Sequence, residues 1–352
     1  MPSELHDRLW EALIAAFPRL TQLLTLQDDR LGFQDDRRIS LFLPDFHLMS
    51  EQAQARFPNY RFNHETEMVQ LVRTLEDFTG TLGPDEELHV HHLGDFFDLW
   101  RETPPEGDHD PTAIIRTHRE VFRSLARHLY WGVGNPRLKV YFLRGNHDFA
   151  LPYFGDFTQW ARWRYLPNPD GATPALVLHG DVFDWVEKLP DDLQNFFVYL
   201  FPHSAGTNQL GTPEETEEAI VGLANQERRM VRAFDDPVET RPLSILGSPP
   251  RFADPNDQEA RQAHDFLPSA YRAVRDLRRE FGVQIRLVVI GHTHKARMAI
   301  YDGDGEEFLV LMDCGAWIEN YTVPGDDTVR SNAQFGVLVG NECRLYQLDH
   351  GA

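Results

Sequence analysis

Cysteine is nearly absent from this chain of 352 residues, with only Cys314 and Cys343 present. Two thiols give neither a disulfide framework nor a thiolate zinc site, and both read as reduced residues near C-terminal strands. Long apolar runs are also lacking, since none approaches the roughly 18 continuous residues of a membrane span. The opening residues carry Glu4 and Asp7 and have no basic head of a secretory signal. A cytoplasmic protein is the expectation, with at most peripheral membrane contact. Basic charge is scarce: Lys and Arg number 34 against 55 Asp and Glu, for a formal charge of −21. That balance argues against a nucleic-acid duplex as partner, because such binding draws on Lys and Arg clusters. It leaves a phosphorylated small molecule open, since bound divalent ions would place positive charge where a phosphate sits. No internal repeat is visible.

Apolar residues make up 41% of the chain, enough for a large core. The reading is one domain over 38–352, a helical extension over 1–37, and an insertion at about 182–284. Leu9, Leu13, Ile14, Phe17, Leu20 and Leu24 recur at helical spacing across residues 4–26, with Pro18 as a break or kink. Core docking is the expected use of that stripe. Residues 39–43, 88–93, 139–143, 175–178 and 286–290 are apolar and strand-like, and 307–312, 335–339 and 343–348 are late strands. Helices are expected over 64–78 and about 112–131. Strands alternating with helices predict an α/β core, and the strand-rich tail predicts a mixed sheet. The insertion holds the apolar run Phe196 to Phe201, a helical run near 214–235 and a Pro-rich segment over 237–255. It reads either as a lid over a substrate or as a cover for the sheet.

Five short stretches follow the apolar runs: Asp45-Phe46-His47, Gly94-Asp95-Phe96-Phe97-Asp98, Gly145-Asn146-His147-Asp148, His179-Gly180-Asp181 and Gly291-His292-Thr293-His294. Each is ordinary alone. In this order, at strand ends, they collect oxygen and nitrogen donors for a dinuclear metal site, a device for hydrolysing phosphate esters. Asp45 and His47 can converge on one ion. Gly94 permits close approach of the backbone at Asp95, whose two oxygens can each take a cation. Asp98 either orients a ligand or is a helix N-terminal acid. Asn146 offers a carbonyl oxygen, which leaves its neighbour His147 for proton donation to a leaving oxygen, with Asp148 holding the imidazole. His179 closes a strand, and His292 with His294 form an i, i+2 imidazole pair. The remaining histidines, among them His89, His91, His92 and His118, show no partner pattern.

These motifs resemble the calcineurin-like metallophosphoesterase superfamily, in its ordered pattern D-x-H, G-D-x-x-D, G-N-H-D, (G)H and G-H-x-H. The resemblance spans residues 38–318, with Leu178 standing where the family often shows Gly. It implies a four-layer α-β-β-α sandwich of two mixed sheets with the site at the strand ends. It further implies two divalent ions, with Mn²⁺ foremost and Fe, Zn²⁺ or Mg²⁺ also suited to N/O donors. Asp45, His47, Asp95 and His294 would hold one, and Asp95 (bridging), Asn146, His179 and His292 the other. In-line attack by a metal-bridging hydroxide would follow, with His147 as general acid assisted by Asp148. The stretches 94–100, 179–184 and 314–320 are similar to UDP-2,3-diacylglucosamine pyrophosphatase-type members, although those often carry Arg where His147 stands. A lipid-linked substrate is therefore an option beside a small phosphorylated one. The competing reading is a non-catalytic scaffold on the same fold, which should show substituted ligands. A structural zinc protein would favour Cys donors.

Overall fold

A computed structural model describes residues 4–33, 35–56, 62–99, 111–148, 160–161, 163–166, 175–186, 248–303, 307–320, 330–331 and 333–348. The chain opens with helix α1 (Glu4–Ala16), which buries Leu5, Leu9 and Leu13 at four-residue spacing. The helix stops just ahead of Pro18, whose ring lacks the N–H that another turn would need. The expectation of helix through residue 26 fails beyond this point. Residues Leu20–Gln27 are strand β1, paired antiparallel with β15 (Glu342–Leu348) from Leu20↔Leu348 to Gln27↔Glu342. The extension over 1–37 is thus only partly helical, and its second half is an edge strand of the first sheet.

That sheet has seven strands in the order β1, β15, β14 (Gln334–Val339), β2 (Arg38–Leu43), β3 (Glu87–His92), β4 (Leu138–Leu143) and β5 (Trp160–Ala161). The strands from β2 to β5 run parallel, and β14, β15 and β1 add antiparallel. A second sheet of six strands has the order β6 (Trp163–Leu166), β7 (Ala175–Leu178), β9 (Leu287–Ile290), β11 (Phe308–Asp313), β10 (Arg297–Asp302) and β8 (Arg251–Phe252). Both sheets are mixed, as expected from the sequence. A short ribbon joins β12 (Glu319–Asn320) to β13 (Arg330–Ser331).

Side-chain alternation explains the continuous apolar runs. Leu287 and Val289 of β9 join Ala175, Val177, Val310 and Met312 in one cluster, together with Phe42, Leu338 and Leu345 of the first sheet. Val288 and Ile290 turn the other way, towards Leu176, Leu178, Leu309 and Leu311 and the helical Leu267, Ala270 and Leu277. A strand covered on both faces has no polar side to show in its sequence. The far face of the first sheet packs Ile39, Leu41, Val90, Phe335 and Val337 against Leu9, Leu71 and Leu125.

Helix α2 (Glu51–Arg56) is followed by α3 (Glu65–Thr79), which buries Met68, Leu71, Val72, Leu75 and Phe78, the stripe read from the sequence. The single helix expected near 112–131 is two, α4 (Thr112–Thr117) and α5 (Arg119–Gly134). They part at His118, which leaves helical geometry and sets its ring 2.7 Å from both Glu65 Oε1 and the Met49 carbonyl. Helix α6 (Asp181–Val186) follows β7. Beyond it, α7 (Gln258–Ala263) is capped by the Asp257 carboxylate, and α8 (Leu267–Phe281) ends at Gly282 in the left-handed region. The insertion expected at about 182–284 takes in residues 258–281, yet Ala260, Leu267, Ala270, Ala273 and Leu277 sit in the second sheet's core. The apolar run 196–201 and the helical run 214–235 lie outside the described residues, as does the lid reading that depended on them. Among the described residues, no helix is long and apolar enough to cross a membrane.

Parallel pairing brings the C-terminal ends of β2, β3 and β4 side by side, and with them the loops that carry Asp45, Asp95 and Asn146. The neighbouring parallel pair β7 and β9 carries the loops of His179 and His292. The two sets meet where His292 N–H donates to Asp45 Oδ2 at 2.8 Å, and the segment after β11 joins them through the Trp317 backbone N–H, which donates to the Asp45 carbonyl at 2.8 Å. Leu9 is fully buried beneath α1. Leu9→Ala is expected to cost about 2–5 kcal/mol, read as a lower urea midpoint; an unchanged midpoint would mean that α1 is not docked as described.

Candidate metal centre

Four non-glycine residues among those described have positive φ: His47 at 46°, Asp95 at 46°, His292 at 71° and His294 at 59°. All four are ligands expected from the sequence. Such a backbone is uncommon for residues with a Cβ, and where it clusters it marks a functional constraint. Glycines make the room. Gly94, at φ 112°, would bring a Cβ within 2.6 Å of Gly145 N. A Cβ on Gly145 would overlap the Asp95 carboxylate, and one on Gly291 would overlap Asp45 Oδ1. The loops of Gly145 and Gly291 are therefore pressed against carboxylates of other loops, and that of Gly94 against the Gly145 backbone and the His179 ring.

The side chains converge accordingly. His47 Nε2 lies 3.0 Å from His294 Nε2, and His294 Nε2 lies 3.2 Å from Asp45 Oδ2. His179 Nε2 is 2.9 Å from Asn146 Oδ1, 3.1 Å from Asp95 Oδ2 and 3.1 Å from His292 Nδ1. Asp95 Oδ2 also lies 3.7 Å from His47 Nε2. Asp45, His47 and His294 form one group that could hold a metal ion, and Asp95, His179 and His292 another, with ligand atoms in each within 4.8 Å of one another. All seven expected ligands are thus brought together. One buried oxygen, Asp45 Oδ1, has no hydrogen-bond partner. Ring nitrogens facing one another in pairs, each pair beside a buried carboxylate oxygen, fit a bound cation, and the N/O donor set suits a hard or borderline one.

His147 sits beside this cluster, 7% exposed, with its ring 4.7 Å from that of His47 and its Nε2 4.0 Å from Asp95 Oδ2. Asp148 does not hold its imidazole, contrary to the sequence reading. The Asp148 carboxylate accepts backbone N–H groups instead, from Phe97 at 2.9 Å and from Phe96 and Gly145 at 3.2 Å. Asp98 takes the orienting role: its Oδ1 is 2.9 Å from His147 Nδ1 and its Oδ2 is 3.2 Å from His47 Nδ1. The physical reason is reach. Asp148 follows His147 directly and points back under its own loop, whereas the G-D-x-x-D turn aims Asp98 across to both rings. A third clustering of possible ligands, His47, Asp98 and His147, reflects this shared carboxylate.

Charge organises the cluster. Burial pushes the Asp95 carboxyl up, but the adjacent His179 and His147 outweigh it and hold Asp95 well below the usual carboxylate range. Burial likewise opposes a charge on His179, yet Asp95 and Asp45 raise it well above an ordinary histidine. His47, sealed from water, is lowered to about 4 and stays neutral, the form in which an imidazole can ligate. Asp148 is raised to about 7, by burial first and by the Asp95 charge second, against its three backbone donors.

Beyond Asp98, whose orienting role is one of the two readings its place offers, sequence reasoning does not find the supports behind the candidate ligands. The Leu93 carbonyl, 3.2 Å from His179 Nδ1, fixes that ring, and no sequence signal marks a carbonyl. Asp313 closes a run of five apolar residues just ahead of Cys314-Gly315, and an acid in that place was a signal passed over. Compared with known proteins, the chain matches no family model and no curated protein.

The raised Asp148 has a stability consequence. A carboxyl whose folded pKa lies near 7 rather than 3.8 favours the folded state while protonated, and that contribution is lost as pH rises from about 4 through about 7. In the metal-free chain, unfolding free energy from denaturant titrations should fall across this window more steeply for the wild type than for Asp148→Asn. Parallel profiles would show that Asp148 carries no such proton.

Proposed function

We propose that this chain is a dinuclear-metal-dependent phosphoesterase that cleaves a phosphate ester or pyrophosphate bond. The observation that carries the reading is the place of Asp95 Oδ2, within 3.1 Å of a ring in one ligand group and 3.7 Å of a ring in the other. A carboxylate so placed is suited to bridge two cations. The first group would be Asp45, His47 and His294 with Asp95, and the second Asp95, Asn146, His179 and His292. The resemblance to calcineurin-like metallophosphoesterases adds the four-layer α-β-β-α architecture, which the three apolar clusters support. When bound, the ions would supply Lewis acidity at the phosphoryl oxygens and an activated water.

The chain's own residues would handle orientation and protons. Asp98 fixes the His147 ring through Nδ1 and offsets an added proton. The opposite nitrogen then faces the centre, where it can protonate a departing oxygen. Asp148 supports the turn by holding the N–H groups of Phe96, Phe97 and Gly145. Mn²⁺ is the first choice of metal, with Fe, Zn²⁺ and Mg²⁺ behind it. The substrate is a phosphorylated small molecule or, by the similarity of the 94–100 and 314–320 stretches, a lipid-linked one.

The Mn²⁺-loaded protein, assayed with bis-p-nitrophenyl phosphate, p-nitrophenyl phosphate, cyclic nucleotides and nucleotide-diphosphate sugars, should hydrolyse at least one class. Asp95→Asn is expected to abolish turnover and lower metal content together, because the bridge loses its charge. Normal turnover by that variant would refute the assignment. His147→Ala should keep its metal and slow hydrolysis by about 10²–10⁴-fold. Loss of metal instead would make His147 a ligand, and a metal-loaded wild type inert on every substrate would favour a scaffold.

A further inference from the structure

We infer that Asp313, through the Thr293 hydroxyl, fixes the loop that carries His292 and His294, and so positions one imidazole in each half of the centre. The inference rests on the metal reading of the site.

Asp313 is the last residue of β11 and is fully buried. Parallel pairing sets it opposite Ile290, the residue from which the ligand loop departs. The Thr293 hydroxyl donates to Asp313 Oδ2, and Gly315 N–H donates to Oδ1 at 3.2 Å. His264 Nε2 lies 3.3 Å from Asp313 Oδ2, and Arg297 Nε lies 3.7 Å from the same oxygen. His264 is itself fully buried, and its Nδ1 accepts the N–H of Phe266. The Phe266 ring in turn lies nearly parallel to that of His292, with centroids 6.0 Å apart. The segment ahead of α8 and the end of β11 therefore clamp the loop from behind.

The loop needs such a clamp. His292 and His294 both have positive φ, with Thr293 between them. The local chain does not favour two such residues at i and i+2, so tertiary contacts must impose the shape. A carboxylate sealed from water and placed outside both ligand groups also needs compensation. Burial outweighs what its partners give and pushes the carboxyl up to about 7; among those partners are Thr293 and Arg297, and His264, which supports the loop through Phe266. His294 belongs with Asp45 and His47, and His292 with Asp95 and His179. Loosening Asp313 therefore disturbs both groups at once, unlike the loss of any single ligand other than Asp95.

The test is Mn²⁺ titration of the metal-stripped full-length chain by calorimetry, with thermal melting of the same metal-free samples. Thr293→Val keeps the shape of the side chain and removes the hydroxyl; Thr293→Ser keeps the hydroxyl; Asp313→Asn replaces the carboxyl with an amide. Thr293→Val and Asp313→Asn should weaken Mn²⁺ binding by roughly 10–100-fold, the usual scale for a residue that orients a ligand. Thr293→Ser should bind and melt as the wild type does, whereas Thr293→Val, which leaves the buried Asp313 carboxyl one partner short, should also melt lower when metal-free. Wild-type affinity in Thr293→Val, with or without a fall in its melting temperature, overturns the inference while the metal reading stands. A wild-type chain that takes up no Mn²⁺ overturns the metal reading first and this inference with it.

Discussion

Two buried carboxylates, Asp45 and Asp95, face the same imidazole. His179 Nδ1 lies 3.6 Å from Asp45 Oδ1, and its Nε2 lies 3.1 Å from Asp95 Oδ2. Like charges sealed from water at this range demand positive charge among them. In the chain alone, His179 answers by holding its proton well above the ordinary range. A divalent cation would answer more strongly and free the imidazole to ligate. The remaining features of the site follow from this need. The loops crowd together around one small volume, and Gly145 and Gly291 keep side chains out of the space the Asp95 and Asp45 carboxylates occupy.

The architecture meets that need with few devices. Parallel strands deliver loops from one end of a sheet, so neighbouring strands place neighbouring ligands. Antiparallel strands from both ends of the chain complete the first sheet without entering the site. Two layers of support then stand behind the ligands. Asp98 reaches two rings, His47 and His147. Asp148 ties three backbone N–H groups into the turn from which His147 projects. Strain at His47, Asp95, His292 and His294 is tolerated because the residues around them, from Phe46 and Trp317 on one side to Ile290 on the other, are buried.

Much of this was legible beforehand, and the failures have definite causes. Strands such as Leu287–Ile290 were evident because both faces are covered, so their residues are uniformly apolar. The α3 stripe was evident because five buried residues repeat at helical spacing. Residues 20–26 misled because Leu20 and Leu24 fit a helix as well as a strand. The choice was made by β15, more than 300 residues away, which pairs with them. The break at His118 was hidden because its cause is the Glu65 side chain and a carbonyl at Met49, neither of which is local.

The amino-acid order by itself determined which donor atoms stand at the end of each strand, and that glycine accompanies them. Those are local properties, written in periodicity and residue type. Only the tertiary structure decided which carboxylate serves which ring: Asp98 rather than Asp148 for His147, and Asp313 for the loop of His292 and His294. Such pairings turn on backbone angles in the left-handed region and on the approach of segments far apart in the chain. Neither leaves a periodic trace, because both are set by where the packed sheets bring the loop ends to rest.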